Sequence, residues 1–245
     1  MPVCHLSYYS EVLKKQAQAT VLLPSPIVPG PWHVMYLLHG LSDDHTAWTR
    51  WTSIERYVDG LPLVVVMPDG GRSFYVDAAN GPRYGTALAV ELPQIVRSYF
   101  PTKTPWCTTG LSMGGYGAIK LALERPDLFR SAVSHSGALH FGRSLSGPDE
   151  EFNREFRLVV GEPGPGNHCD IYGKILELAA EHRPALRFDC GTDDFLLWAN
   201  REFHDHLMAN GISHEYEEFP GDHNWAYWDE HVQEAVAFHR RQLGF

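Results

Sequence analysis

Ser112, His223 and a pair of aspartates are residue types that nucleophilic catalysis needs, and they occur in the order serine, acid, base along the chain. Ser112 lies in the pentapeptide Gly110-Leu-Ser-Met-Gly114, with a glycine two positions before it and another two positions after it. A serine on a sharp turn between a strand and a helix adopts a strained backbone, and small residues at those two positions make room for the turn. The pattern therefore predicts that Ser112 is a nucleophile.

A serine hydroxyl is a weak nucleophile at neutral pH, so it needs a base and a carboxylate that orients the base. His223 is the best-placed base, because it lies in a Gly/Asp loop directly before an aromatic-rich predicted helix. Asp193 and Asp194 both follow a predicted strand, and spacing alone leaves open which of them is the acid. A third reading is that both only cap the next helix. Five later histidines fall in helix-like or strand-like segments and are read as structural or surface residues: His204, His206, His214, His231 and His239.

Two backbone N–H groups are predicted to bind the oxyanion that forms when a serine attacks a carbonyl group. One belongs to Met113, the residue after the nucleophile, and the other to Leu41, in the loop after an early strand. His39 is expected to support that loop. Asp43 either shapes the rim of the site or caps the helix predicted to begin at Thr46.

Aromatic residues near these motifs could line a compact substrate pocket, although a role in the core is an equally good reading for each of them. The tentative substrate contacts are Trp48, Tyr116 and Trp225, with Phe74, Tyr75 and Trp228 as further candidates.

The positioning elements are short apolar strands that alternate with helices, which predicts a mostly parallel sheet covered on both faces. The predicted strands span 33–38, 63–67, 106–109, 131–134 and 185–190, and alternating segments at 3–10 and 16–23 predict two antiparallel edge strands. The predicted helices span 46–58, 86–99, 113–124, 171–181, 196–210 and 225–240. Ligands of such sheets gather where the strands end, so the residues directly after each apolar run are predicted to share one rim. They are 39–42, 69–72, Ser112, Ser136-Gly137, Asp193, Asp194 and His223. The long polar segment 142–167 is either a small insertion over the site or a surface loop.

Composition predicts one domain over residues 1–245, since 44% hydrophobic residues can fill one large core and no linker divides the chain. A net charge of −10 argues against nucleic-acid or membrane partners. The N-terminus lacks a secretory signal pattern and no apolar run is long enough to span a membrane, so a cytoplasmic location is expected. The four cysteines are widely spaced without C-x-x-C pairs, which favours reduced structural thiols over disulfides or a zinc site.

Five separated motifs lie at residues 38–48, 66–75, 110–118, 190–195 and 223–228. They occur in the order found in the esterase D-like branch of the α/β-hydrolases, which the chain resembles over almost its whole length. The likeness is greatest to bacterial tributyrin and acetyl esterases. More distantly, the chain is similar to S-formylglutathione hydrolases, feruloyl esterases and mycolyltransferases. The resemblance implies an α/β-hydrolase fold with at most a small lid.

The resemblance also implies that Asp194 is the acid and that Leu41 and Met113 are the oxyanion donors. It leads us to expect a serine esterase that acts on a small-molecule, short-chain acyl ester through an acyl-enzyme, with no cofactor and no metal. A thioesterase or an acyltransferase could use the same three residues, and a non-catalytic binding protein is the remaining alternative. Tyr116 stands where S-formylglutathione hydrolases usually carry histidine, which weakens the thioesterase reading. Assembly into a homo-oligomer is left open.

Overall fold

An eight-stranded sheet forms the centre of the protein in a computed structural model that describes residues 1–144 and 149–245. The order of strands across the sheet is β1-β2-β4-β3-β5-β6-β7-β8. In chain order, the strands are β1 (Val3–Ser10), β2 (Lys15–Leu22), β3 (His33–Leu38), β4 (Leu63–Pro68), β5 (Trp106–Leu111), β6 (Phe129–His135), β7 (Ala185–Gly191) and β8 (Glu215–Phe219).

The sheet is mostly parallel, as the alternation of strands and helices predicts. Strand β2 pairs antiparallel with β1 and with β4, whereas the strands from β4 to β8 all pair in parallel. The carboxyl ends of the parallel strands therefore lie along one edge, where ligand sites of open parallel sheets form.

The central strands are covered on both faces, and their side chains divide between two apolar clusters. In β3, Val34 and Tyr36 belong to one cluster, while Met35 and Leu37 belong to the other. This division follows from the strand period of two, which sends successive side chains to opposite faces. Because the central strands bury apolar side chains on both faces, helices cover both sides of the sheet, which is the α/β-hydrolase arrangement that the sequence predicts.

Most of the helices fall close to the predicted segments, with exceptions at 46–58 and within 142–167. In chain order they are α1 (Ala47–Trp51), α2 (Ile54–Tyr57), α3 (Tyr84–Thr86), a π-helical turn (Ala87–Glu91), α4 (Leu92–Tyr99), α5 (Met113–Glu124), α6 (Glu150–Val160), α7 (Ile171–Glu177), a 3₁₀ turn (Ala180–His182), α8 (Leu197–Ala209) and α9 (Trp225–Leu243).

The single helix predicted over 46–58 is wrong, because the chain breaks into α1 and α2 at Thr52. The backbone of Thr52 is extended, and its hydroxyl donates to the Trp48 carbonyl while accepting from the Ile54 N–H. Threonine side chains compete in this way with the backbone bonds of a continuing helix. The Ser53 N–H donates 2.7 Å to a carboxylate oxygen of Asp229, which ties the break to helix α9.

Helix α6 lies within segment 142–167, where no helix is predicted. Residues 145–148 of that segment lie outside the described residues. Asp149 caps the helix by accepting the Phe152 N–H at 2.8 Å, and Phe156 and Val160 face the core. The segment is therefore more than a plain surface loop.

Two further observations concern membrane-spanning helices and cysteine pairing. Within 1–144 and 149–245, no helix has the length and apolar character needed to cross a membrane. All four cysteines are described and unpaired, and Cys107, Cys169 and Cys190 are buried.

Candidate active site

Ser112 occupies the sharp turn between β5 and α5, with φ 52° and ψ −116°. A Cβ atom on Gly110 would lie 2.2 Å from the carbonyl oxygen of Gly114, and one on Gly114 would lie 2.5 Å from the carbonyl oxygens of Leu38 and His39. No real side chain fits at such distances. The two glycines therefore let helix α5 begin directly behind the serine, which explains in steric terms the spacing in the pentapeptide.

Three side chains from different loops meet in a line at the carboxyl edge of the sheet. His223 Nε2 lies 3.1 Å from Ser112 Oγ, and His223 Nδ1 lies 2.8 Å from Asp194 Oδ2. Ser112 follows β5, Asp194 follows β7 and His223 follows β8. With Nδ1–H donating to the carboxylate, Nε2 is free to accept the serine hydroxyl proton.

Asp194 uses its two carboxylate oxygens for two different partners. Oδ2 accepts from His223, while Oδ1 accepts the Leu196 N–H at 2.8 Å. Burial alone would raise the pKa of Asp194, but hydrogen bonds and charge from His223, with the Leu196 bond, outweigh burial and leave the pKa below its usual value. Asp193 is exposed. One aspartate thus both holds the turn and contacts the histidine.

The loop that carries His223 is fixed at the start of helix α9. Asn224 caps the helix by accepting the Tyr227 N–H at 3.1 Å. The His223 ring contacts two aromatic rings, with Phe195 at 4.5 Å and Trp228 at 4.9 Å between ring centroids. These contacts limit the orientations that the imidazole can take.

A buried polar network under the site connects the loops of the serine and the histidine. The Asp189 carboxylate accepts from His135 Nδ1 at 2.9 Å and from the Tyr227 hydroxyl at 3.0 Å. The His135 carbonyl accepts the Ser112 N–H at 2.9 Å. Strands β6 and β7, helix α9 and the serine turn are therefore joined through groups that have little contact with water.

Leu41 and Met113 flank the position of the serine. Met113 is the first residue of α5, and first-turn N–H groups have no acceptor within their own helix. Leu41 lines the cavity over Ser112. The loop of Leu41 is supported by buried His39, whose Nδ1–H donates to the Gly40 carbonyl at 2.8 Å and whose Nε2 accepts the Gly70 N–H at 2.9 Å.

A cavity of about 780 Å³ opens over Ser112 and His223. Its walls come from the loops after β3, β4, β5, β6 and β7, from the loop before α9 and the start of α9, and from α6. The lining is mostly apolar and consists of Gly40, Leu41, Asp43, Phe74, Leu111, Ser112, Ala138, His140, Phe141, Ser144, Phe152, Phe195, Leu196, His223, Asn224, Trp225 and Trp228.

Of the tentative substrate contacts, Trp225 lines this cavity, but Trp48 and Tyr116 do not. Trp48 is 1% exposed, donates its indole N–H to the Leu38 carbonyl and packs edge-on against Trp225 at 5.3 Å. Tyr116 is fully buried and donates its hydroxyl to the Cys169 carbonyl at 2.6 Å. Both side chains are core residues that support the cavity wall, which corrects their assignment as substrate contacts.

Several wall residues were not among the sequence candidates, namely Ala138, His140, Phe141 and Phe152. The first three follow Ser136-Gly137 at the end of β6, so the rule that ligands gather after parallel strands could have found them. Burial lowers the pKa of His140 to about 4, so its imidazole is neutral at physiological pH. Phe152 comes from α6, which places segment 142–167 at the cavity.

The site has no metal centre among the described residues, where no three His, Cys, Asp or Glu side chains converge to hold an ion. Asp43 does not cap α1, since the Thr46 N–H donates instead to Asp44 at 2.8 Å. Asp43 lies on the cavity wall.

Comparisons with known proteins identify the family of the chain. The Esterase family model matches residues 10–239. An acetyl esterase of Caldicellulosiruptor saccharolyticus is 29% identical over 257 residues, which cover 96% of this chain and 97% of the relative.

Two solved structures from Staphylococcus aureus are each 32% identical to the chain. The fluorophosphonate-binding serine hydrolase F, with substrate bound, has a TM-score of 0.89 and covers 97% of both chains. The apoenzyme of an S-formylglutathione hydrolase has a TM-score of 0.83, and the match covers 97% of this chain and 98% of the other. The chain therefore belongs to the esterase family and is a serine esterase.

Proposed function

We propose that the protein hydrolyses short-chain acyl esters through an acyl-enzyme, with Ser112, His223 and Asp194 as its catalytic residues. The observation that carries the proposal is the unbroken contact from Ser112 Oγ through the His223 ring to Asp194 Oδ2, at 3.1 and 2.8 Å. These distances match the hydrogen-bond reach that a nucleophile and its base require.

In the proposed reaction, Ser112 Oγ attacks the ester carbonyl carbon while His223 Nε2 takes its proton. The carbonyl oxygen becomes an oxyanion, which the N–H groups of Leu41 and Met113 stabilise. His223 then returns the proton to the leaving alcohol, and the acyl group stays on Ser112. Water repeats the attack with His223 as base and releases the acid. Asp194 orients the imidazole and stabilises its charged form.

The test is hydrolysis of p-nitrophenyl butyrate by wild type and Ser112→Ala. We expect activity to fall by at least about 10⁴-fold, because removal of a nucleophile abolishes the covalent route. A fluorophosphonate probe should label wild type and not the variant. Full activity in a folded Ser112→Ala protein would refute the assignment of the nucleophile.

The preference for short acyl chains is a separate part of the proposal. It is supported by the likeness to the acetyl esterase and by the aromatic wall of Phe74, Phe141 and Phe152. Because a cavity of about 780 Å³ holds more than an acetyl group, a series of p-nitrophenyl esters from acetate to decanoate is the measurement that decides the limit. A maximum at long chains would contradict the preference.

Thioester hydrolysis is the second candidate, and the 32% identity to the S-formylglutathione hydrolase favours it. Matched acetyl esters and acetyl thioesters, compared by kcat/KM, distinguish the two. The same assay with an added alcohol tests acyl transfer. A single domain and a cytoplasmic location remain predictions from the sequence, and assembly into a homo-oligomer remains open.

A further inference from the structure

One carboxylate, that of Asp43, is the only charged side chain of Asp, Glu, Lys or Arg type among the described residues that line the cavity. The undescribed stretch 145–148, next to Ser144 on the wall, reads Leu-Ser-Gly-Pro and contributes no charge. The remaining polar side chains of the lining are neutral or belong to the proposed catalytic residues. The cavity therefore has an unbalanced negative charge.

Asp43 lies close to the reacting group. A Cβ atom built on Gly40 would be 3.5 Å from Asp43 Oδ2 and 3.7 Å from Ser112 Cβ, so the carboxylate and the serine flank the same glycine. A substrate attached at Ser112 therefore extends past this carboxylate if it fills that side of the cavity.

Among the described residues, the charge of Asp43 has no close counterion. Within the described chain, no Lys, Arg or His nitrogen lies within 4.0 Å of its carboxylate, whereas neighbouring Asp44 has Arg50 at 3.6 Å. Burial raises the pKa of Asp43 above its usual value, and His39, Arg50 and the Gly40 N–H only partly oppose this. A carboxylate in this setting gains from a cationic ligand.

The aromatic residues of the wall favour the same ligand chemistry. Phe195, Trp225 and Trp228 line the cavity together with Asp43, and aromatic faces attract ammonium groups, tryptophan most strongly. The net charge of −10 adds a field that attracts cations and repels anions.

We propose that Asp43 makes this cavity select esters that carry an ammonium group and disfavour anionic acyl donors. The inference rests on the proposed function, because it assumes turnover at Ser112. It also separates the two candidate activities: the glutathione portion of a thioester has two carboxylates and one ammonium, and its net negative charge would face Asp43 with no cation on the described wall.

The experiment compares acetylcholine with 3,3-dimethylbutyl acetate, which replaces the quaternary nitrogen by carbon and keeps the shape. A second pair places the charge on the acyl side, with propyl esters of trimethylammonioacetate and 3,3-dimethylbutanoate. For each pair, the ratio of kcat/KM for the cationic ester to that for the neutral ester is measured in wild type, Asp43→Asn and Asp44→Asn. Dividing the variant ratio by the wild-type ratio removes the intrinsic reactivity of the esters.

We expect the ratio to fall about tenfold in Asp43→Asn for at least one pair. This is the size of effect expected when one charge–charge contact near the protein surface is lost. Asp44→Asn makes the same change of charge one residue away, off the cavity wall, and should alter the ratio less than about twofold. The pair that responds shows which side of the ester meets Asp43. Thermal melting checks that both variants fold, and choline against 3,3-dimethylbutanol as inhibitors measures the same selection without turnover.

Equal ratios in wild type and Asp43→Asn for both pairs, with no difference in inhibition, would overturn the proposal. If neutral esters are still hydrolysed in a Ser112-dependent way, only the charge selection is wrong and the proposed function stands. If wild type hydrolyses no ester and Ser112 is not labelled by a fluorophosphonate, the proposed function itself fails.

Discussion

Asp194 shows how one carboxylate can serve both a local turn and the site. The sequence leaves open whether Asp193 and Asp194 only cap the next helix or one of them orients His223. Helix α8 has no side-chain cap, whereas Asp194 Oδ1 accepts the Leu196 N–H in the turn before it and Oδ2 contacts His223. One carboxylate makes both contacts, and exposed Asp193 is a natural control.

The first prediction is that Asp194→Asn lowers kcat for p-nitrophenyl butyrate by about 10⁴-fold, whereas Asp193→Asn changes it less than about threefold. Asparagine keeps the size of Asp194, but it can present an N–H to His223 and favour the wrong tautomer. Steady-state kinetics on both purified variants give the measurement. Equal losses of kcat in the two variants would show that the assignment of Asp194 as the acid is wrong.

At the level of elements, the sequence predicts the strands and helices that bear the motifs but misses helix α6. The missed helix has a recognisable signal, since Asp149 is a good N-cap and Phe152, Phe156 and Val160 recur at helical spacing. The glycines and prolines on either side of 149–160 obscured that period.

The residues that carry the site motifs were more predictable than the cavity wall, for a physical reason. The turn at Ser112 needs glycine at fixed local positions, so the chain records it directly. Which aromatic side chain faces the cavity depends on long-range packing. Trp48 and Trp225 are similar in sequence context, yet Trp48 is buried behind Trp225, with the two ring centroids 5.3 Å apart.

The second prediction concerns the contribution of α6 to substrate binding. Phe152 lines the cavity and packs on buried Phe156 at 4.3 Å between ring centroids. We expect Phe152→Ala to raise KM for p-nitrophenyl butyrate about tenfold with little change in kcat, because it removes apolar contact that the ground state and the transition state share.

Leu158→Ala is the matched control for α6, since Leu158 lies on the same helix and is 56% exposed. Its KM should stay close to that of wild type. A large loss of kcat in Phe152→Ala with KM unchanged would contradict a binding role and indicate that α6 affects the reacting groups.

At the scale of the whole molecule, polar groups are buried under the sheet as well as at its edge. His239 of α9 is fully buried, with Nε2 2.7 Å from Thr109 Oγ1 and Nδ1 2.8 Å from Ser131 Oγ. Burial lowers the pKa of His239 to about 3, and the nearby His135 adds to the shift. The imidazole is thus neutral in the folded protein over most of the acidic range, and its hydrogen bonds join α9 to strands β5 and β6.

This buried histidine predicts how stability depends on pH. An unfolded chain protonates histidine near pH 6.5, whereas folded His239 stays neutral until about pH 3. Below pH 6.5 the unfolded state therefore binds a proton that the folded state does not. The free energy of unfolding should fall as pH drops from about 6.5 towards 3, with a contribution from this residue of up to about 1.4 kcal/mol per pH unit.

Urea unfolding of wild type, His239→Gln and His182→Gln at several pH values between 7 and 4.5 measures that slope. We expect His239→Gln to be less stable than wild type at pH 7, because two buried hydroxyls lose their partner. On acidification, its free energy of unfolding should fall less steeply than that of wild type, and the two slopes should differ by close to the uptake of one proton on unfolding. His182 is exposed, so its variant controls for the removal of a histidine. If the free energy of unfolding has the same dependence on pH in His239→Gln and wild type, His239 binds its proton as readily in the folded protein as in the unfolded chain. Any loss of stability in acid then has to come from other groups.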